Sequence, residues 1–178
     1  TSVNEQIVHG IPNRKPLNEG DILSIDVGLV LDGYYSDSAR TIPVGRIDEV
    51  SRRLIDVTQR SLEMGIEKLL PGNRLGDVSS VIQQYVESNG FSVVREYTGH
   101  GIGRKLHEEP KIPNHGKAGR GIRWQAGMVV CIEPMVNVGT WKTQTLNDEW
   151  TVVTADKKRS AHIEHTVAIT DDGPLVLT

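Results

Sequence analysis

Two aspartates in an early hairpin are the first residues whose spacing suggests chemistry. The segment DILSIDVGLVL alternates apolar and polar residues, which predicts a strand, and Asp32-Gly33 is typical of a two-residue turn before a return strand. With that turn, Asp26 and Asp37 lie on one face as diagonal neighbours. Two close carboxylates repel each other unless one is protonated or a cation lies between them. The hairpin therefore indicates a cation-binding pair, or else two solvated aspartates on an exposed face.

Other residues of metal-ligating type occur farther along the chain. His100 lies in the glycine-rich segment TGHGIG, and His107 follows it in RKLHEEP. Glu133 ends the apolar run MVVCI, and Glu164 lies within the strand pattern HIEHTVAIT. Taken singly, each residue also fits an ordinary loop position, an ion pair or a solvated carboxylate. Taken together, the four carboxylates would balance two divalent cations, and oxygen ligands with one imidazole suit Mn, Fe, Co or Zn.

The elements that must position these residues are strands around one pair of helices, which predicts a single α+β domain over residues 1–178. The apolar spacing predicts a helix over 47–70 and a second that begins at the N-cap Asp77 and ends at Asn89-Gly90. Further strands are predicted over 92–97, 128–136 (interrupted by Pro134), 149–154 and 162–170.

Composition excludes several classes of protein. The chain has 178 residues with 20 Lys+Arg against 23 Asp+Glu, a net charge of -3, which gives no basic surface for nucleic acid. No apolar run approaches the length of a membrane span, and the N-terminus does not look like a signal peptide. The single cysteine, Cys131, excludes an internal disulfide and fits a reducing compartment. We therefore expect a cytoplasmic protein without nucleic-acid or membrane partners.

Five segments together resemble the type I methionine aminopeptidases. They are SVNEQIVHGIP, SIDVGLVLDGYYSDSARTIPVG, TGHGIGRKLHEEP, CIEPMV and HIEHTVAIT, and they occur in the order that the family has. The resemblance implies the pita-bread fold, a curved antiparallel sheet with helices on its outer face, made of two pseudo-symmetric halves. Residues 1–45 would be the remainder of the first half and 46–178 the second half.

The resemblance also implies roles for individual residues. Two divalent ions (Co, Mn, Fe or Zn) would be held by Asp26, Asp37, His100, Glu133 and Glu164. The catalytic groups would be Glu133 as general base, with His107 and His9 contacting the substrate. Substrate-pocket positions would be Leu106, Trp150 and Thr1, together with the same two histidines.

The implied function is metal-dependent hydrolytic removal of the N-terminal methionine from nascent polypeptides with a small second residue. The resemblance implies a monomer that acts near the ribosome. Only 25 residues (108–132) separate His107 from Glu133, too few for the insertion of type II enzymes. Prolidase relatives usually have Glu-Pro-Gly where this chain has Glu133-Pro134-Met135, which favours methionine removal. The alternatives are an Xaa-Pro aminopeptidase or prolidase on the same fold, and a non-catalytic domain that binds a protein partner.

The beginning of the chain differs from the family pattern. The sequence starts at the SVNE segment without an initiator Met, where family members carry a preceding segment with the helices of the first half. We therefore expect an N-terminally truncated chain. Without those helices, the first hairpin should expose apolar sheet surface unless another segment or subunit covers it.

Overall fold

A computed structural model describes residues 1–178, which form two helices and three antiparallel sheets. The α+β class is therefore as predicted. The helices are α1 (Glu49–Ile66) and α2 (Leu75–Ser88). The strands are β1 (Ser2–Val3), β2 (Gln6–Val8), β3 (Ile22–Leu31), β4 (Tyr34–Pro43), β5 (Ser92–Val93), β6 (Thr98–Gly101), β7 (Glu108–Pro113), β8 (Val129–Ile132), β9 (Met135–Asn137), β10 (Thr143–Thr145), β11 (Val152–Thr154), β12 (Ser160–His162), β13 (Glu164–Thr170) and β14 (Gly173–Val176).

One large sheet connects the early hairpin to the later strands. Its order is β1-β3-β4-β13-β8-β6-β7, with β14 paired to β13. Two three-stranded sheets, β10-β11-β2 and β12-β9-β5, complete the fold. The division into pseudo-symmetric halves at residue 45 stays a prediction.

The hairpin β3–β4 forms as predicted. Leu31 pairs with Tyr34, and the two turn residues Asp32 and Gly33 both have positive φ, 51° and 78°. These are the dihedrals of the mirror-image turn that matches the right-handed twist of the strands. Asp26 pairs with Ala39, so the parity that brings the two hairpin aspartates to one face is confirmed.

The helices differ from prediction at their ends, since α1 spans Glu49–Ile66 rather than 47–70. α1 begins after its N-cap Asp48, whose side chain accepts the backbone N–H of Ser51. The prediction of Asp77 as N-cap of α2 is wrong, because the N-cap is Arg74 and Asp77 lies three residues inside. From there its carboxylate accepts the Arg74 backbone N–H at 2.7 Å, which still satisfies the helix start. Neither helix is both long enough and apolar enough to cross a membrane.

Pro134 changes the course of the predicted strand 128–136. Its first part, β8, stays in the large sheet, whereas its second part, β9, joins the sheet with β5 and β12. Glu133 lies at this break. The predicted strand 92–97 is shorter, since only Ser92–Val93 pair with β9. Predicted strand 149–154 contracts to Val152–Thr154, and strand 162–170 divides into β12 and β13.

The two helices cover only part of the large sheet. They pack on β8 and β13, where one face contributes buried residues to the main core: Val130, Ile132, Val167 and Ile169. The equivalent apolar face of β3–β4 lies open, with Val27, Leu29 and Leu31 exposed to 54%, 55% and 70%. The exposure that the sequence predicted for this hairpin is thus present.

Candidate metal centre

Five acidic and histidine side chains from five strands or strand ends meet on the other face of the large sheet. Ligand atoms of Asp26, Asp37 and Glu164 lie within 4.8 Å of one another, and Glu164 also belongs to two further groups of the same spacing. One of these groups contains Glu133 and the other contains His100. The structure therefore brings all five sequence-predicted ligands together, with Glu164 at their centre.

Threonine hydroxyls fix the hairpin against β13. Only two residue pairs, Glu164–Ala39 and His165–Ser38, form the ladder between β13 and β4. Beyond it, the Thr166 hydroxyl accepts the Asp37 backbone N–H at 3.0 Å and donates to the Asp37 carbonyl at 2.7 Å. The side chain of Thr166 thus continues the ladder where the backbones separate, and it sets the position of Asp37 relative to Glu164.

The ring of His100 is oriented for ligation. Its Nδ1 lies 2.9 Å from the carbonyl of Gly101. A carbonyl oxygen can only accept, so Nδ1 carries the hydrogen and Nε2 presents its lone pair. That Nε2 faces Glu133 Oε1 at 3.6 Å. A neutral imidazole with this tautomer is the form that binds a metal ion.

Electrostatics in the cluster favour a bound cation. Burial, and then the charges of Glu133, Asp37 and Asp26, raise the pKa of Glu164 to about 10. Burial and the same two aspartates hold the pKa of Glu133 well above its usual range. Burial also raises the pKa of Asp26, and the charge of Asp37 adds to the effect. Carboxylates that resist ionisation together become stable anions when a divalent ion lies between them.

A buried atom without a partner supports the same conclusion. Glu164 Oε1, at the centre of the cluster, makes no hydrogen bond. Such groups are costly unless a ligand satisfies them. The donor set of carboxylate oxygens and imidazole nitrogen therefore fits a divalent metal ion of the Mn, Fe, Co or Zn type.

Two residues at the cluster were not singled out by sequence reasoning. His162 lies in a group with Glu133 and Glu164, and Cys131 lies in a group with His100 and Glu164. Cys131 shares the parity of Glu133 along β8, and His162 precedes Glu164 by two residues, so the alternation rule applied to these short strands could have found them. Burial, followed by the charge of Glu164, strongly raises the pKa of the Cys131 thiol.

Most of the predicted substrate-contacting residues surround the cluster. The His107 ring lies edge-on to that of His100, with centroids 4.4 Å apart. The His9 ring packs edge-on against Tyr97 and against Trp150, which is 63% exposed. Burial has the largest effect on His9 and lowers its pKa. The charge of Asp26 opposes this effect, whereas those of His162 and His107 add to it.

The two remaining pocket positions differ in placement. Leu106 lies over the hairpin, where its Cδ1 would be 3.5 Å from a Cβ placed on Gly28, and Gly28 pairs directly with Asp37. Thr1 instead lines a surface cavity formed by residues 1–23, and its amino group donates to the Gly10 carbonyl at 3.4 Å. Leu106 therefore lies next to the cluster. Thr1 is connected to the cluster only through the chain segment that carries His9.

Comparison with known proteins agrees with this arrangement. The sequence profile of metallopeptidase family M24 matches residues 1–171. The chain is 58% identical to a methionine aminopeptidase of Clostridium perfringens over 99% of its length and 71% of the relative. It is 54% identical to methionine aminopeptidase 1 of Bacillus subtilis, with the same coverage.

Solved structures show the same relationship in three dimensions. A methionine aminopeptidase from Thermotoga maritima superposes with a TM-score of 0.98 at 52% identity, over 99% of this chain and 72% of that one. A prolidase from Pyrococcus furiosus is more distant, with a TM-score of 0.79 at 26% identity, over 99% of this chain and 47% of that one. The pita-bread fold expected from the sequence is confirmed. The chain belongs to metallopeptidase family M24 and, within it, to the methionine aminopeptidases.

Proposed function

We propose that the chain is a metal-dependent exopeptidase that removes the N-terminal methionine from polypeptides with a small second residue. The observation that carries this proposal is the convergence of three groups of potential ligand atoms on Glu164. One group contains Asp26 and Asp37, another contains Glu133 with His162, and the third contains His100 with Cys131. Four carboxylates and one imidazole match two divalent ions in charge.

The side chains around the cluster have distinct tasks in the proposed hydrolysis. Asp26, Asp37, His100, Glu133 and Glu164 would hold divalent ions, which would acidify a water molecule and stabilise negative charge on the scissile carbonyl. Glu133, at the break after β8, takes the proton of the attacking water and passes it to the leaving amine. Its Oε1 lies 3.6 Å from Nε2 of His100, so the carboxylate lies within the predicted ligand set.

Substrate positioning falls to the rim of the cluster. His107, edge-on to His100, lies on the exposed side and is placed to donate a hydrogen bond to the carbonyl oxygen as it becomes negative. His9, flanked by Tyr97 and Trp150, contacts the peptide backbone. Leu106 supplies apolar contact for the methionine side chain. The free amino group of the substrate binds at the acidic cluster, which explains cleavage at the first residue only.

A second candidate function, Xaa-Pro cleavage, rests on the fold shared with prolidases. Its lower identity and lower TM-score make methionine removal the better supported activity. A purely structural, non-catalytic domain would not need five ligands in one cluster, and all five are present.

Peptide cleavage tests these alternatives directly. We would add Mn, Fe(II), Co or Zn in turn to the metal-free protein and present Met-Ala-Ser, Met-Leu-Ser and an Ala-Pro peptide. Metal-dependent release of methionine, faster from Met-Ala-Ser than from Met-Leu-Ser, supports the proposal. Release from the Ala-Pro peptide alone assigns the chain to the prolidase activity. No cleavage of any peptide, with metal binding demonstrated by calorimetry, contradicts both.

The cellular setting of the activity is also a proposal. Removal of the initiator methionine acts on nascent chains, which supports work in the cytoplasm close to the ribosome, and a lone buried cysteine is compatible with that reducing compartment. The expected monomer is tested by sedimentation. A dimer would contradict that expectation. Its subunits would be expected to meet at the open apolar face that contains Leu29 and Leu31.

A further inference from the structure

The imidazole of His162 lies beside the candidate metal centre and has no task in the proposed hydrolysis. His162 is 2% exposed, at the end of β12, and its Nε2 makes no hydrogen bond. The Oε2 atom of Glu133 lies 3.4 Å from this Nε2. A fully buried imidazole nitrogen without a partner is rare in folded proteins and calls for a function.

The backbone of His162 is fixed from two sides. The Thr41 hydroxyl accepts the His162 backbone N–H at 2.9 Å and is also within 2.9 Å of the His162 carbonyl, to which it donates. On the other side, His162 pairs with Met135 in the ladder between β12 and β9. Met135 follows Glu133 by two residues, so the ladder sets the distance between the ring and the carboxylate.

Glu133 therefore lies between two imidazoles with different capabilities. Its Oε1 is 3.6 Å from Nε2 of His100, and its Oε2 is 3.4 Å from Nε2 of His162. The hydrogen of His100 is on Nδ1, where the Gly101 carbonyl accepts it. Of the two rings, only His162 can donate a hydrogen to the carboxylate while His100 keeps its lone pair for a metal ion.

We propose that His162 is a positioning residue, which donates its Nε2 hydrogen to Glu133 Oε2 and thereby keeps Oε1 turned toward the His100 side of the centre. This inference rests on the proposed function of Glu133 as general base. A slight rotation of the carboxylate brings 3.4 Å into the ordinary range of about 2.7–3.2 Å for such a bond. Proton transfer depends steeply on the direction of the accepting oxygen, so this bond acts on the rate rather than on substrate affinity.

Two substitutions separate this role from plain packing. His162→Gln keeps an N–H donor at a similar reach, whereas His162→Leu fills the space without one. We expect His162→Leu to lower kcat for Met-Ala-Ser by about tenfold or more and to change KM by less than about threefold. His162→Gln should recover most of kcat. Because Glu133 is itself a predicted ligand, His162→Leu should also weaken metal binding by about 10–100-fold, so kcat is compared at metal concentrations that calorimetry shows to be saturating for each variant.

An NMR measurement tests the hydrogen bond without reference to activity. In the zinc-loaded protein labelled with ¹⁵N-histidine, we expect His162 to be the Nε2–H tautomer, with a proton signal that shifts in Glu133→Gln. The Nδ1–H tautomer with a zinc-shifted Nε2 would instead show that His162 is a direct ligand, and would overturn the proposal. Equal kcat in His162→Leu and the unchanged protein would overturn it as well.

Failure of the underlying function has a different signature. If the unchanged protein binds metal but releases no methionine, the general-base role of Glu133 is wrong. The NMR result still decides whether the His162–Glu133 bond exists, so the two failures are distinguishable.

Discussion

The metal centre joins two regions that the fold supports in different ways. The strands β8 and β13 carry Glu133 and Glu164 at their ends, and α1 and α2 cover their opposite face with a continuous core. The hairpin β3–β4 carries Asp26 and Asp37, but its opposite face is open along Val27, Leu29 and Leu31. Ile22 at the start of β3 packs in a core cluster with Leu54 and Val57 of α1, but the part of the hairpin from Val27 to Leu31 has no such cover.

A few polar contacts support this outer part of the hairpin. Besides the short ladder with β13 and the hydroxyl of Thr166, the tip of the hairpin is tied to the loop after β6. The Tyr35 backbone N–H donates to the Gly103 carbonyl at 2.8 Å, and the Arg104 guanidinium lies 4.0 Å from the centre of the Tyr34 ring. Because apolar burial contributes little to this outer part, we expect it to depend on hydrogen bonds and on the cation that we propose its aspartates share with Glu164.

The largest effect should come from the ligand that connects the two regions. Asp37→Asn removes one negative charge from a carboxylate that lies within 4.8 Å of those of Asp26 and Glu164. A neutral amide cannot neutralise a shared cation, so methionine release should fall by about a thousandfold or more. Stopped or discontinuous peptide assays at saturating metal measure this. The matched control is Asp56→Asn on the exposed side of α1, which should keep full activity.

Core substitutions should distinguish the covered region from the open one. Ile132→Ala deletes a fully buried side chain of the main core and should cost about 2–5 kcal/mol of unfolding free energy. Leu29→Ala removes a side chain that is 55% exposed and should stay within about 0.5 kcal/mol. Urea unfolding of the metal-free protein measures both. A cost for Leu29→Ala that matched the one for Ile132→Ala would contradict the contrast between the regions.

The sequence could predict what depends on local rules, and this includes much of the centre. The hairpin register follows from the two-residue turn, which is why the shared face of Asp26 and Asp37 was predictable. Pairing between distant strands has no such local signal. The sequence therefore could not predict that the chain enters another sheet after Pro134. Alternation could place His162 on the same face as Glu164, but the nearness of His162 to Glu133 comes from the β9–β12 ladder, for which the sequence has no local signal. Recognition of His100 and Glu164 as ligands depended on the family resemblance.

Burial of Glu164, together with the charges of Glu133 and of the two hairpin aspartates, should make the stability of the metal-free protein depend on pH. The pKa of Glu164 is about 10 in the folded chain, against 4.5 in an unfolded one. Above pH 4.5 the unfolded state loses this proton while the folded state keeps it, so stability falls as pH rises toward 10.

Between pH 5 and 8 the free energy of unfolding of the metal-free protein should fall by on the order of 4 kcal/mol, measured by urea unfolding at several pH values. Saturating Zn or Mn should abolish most of the loss, since the cation stabilises the ionised carboxylates. Glu164→Gln removes the titrating group and should flatten the profile of the metal-free protein. If Glu164→Gln left the pH dependence of stability unchanged, the loss of stability would come from other acidic residues and the prediction for Glu164 would be wrong.

The smallest effect concerns the hydroxyl that ties the hairpin to β13. Thr166→Val keeps the side-chain shape but removes both hydrogen bonds to the Asp37 backbone, at 3.0 and 2.7 Å. Leaving these buried groups unsatisfied should cost about 1–2 kcal/mol. Thr170→Val, in the same strand but bonded to the Gly173 carbonyl, is the control. Hydrogen exchange should then increase in β3–β4 only with Thr166→Val, because the helix-covered strands keep their core. Faster exchange spread evenly over β8 and β13 would mean that the two regions unfold as one unit and that the hairpin has no separate support.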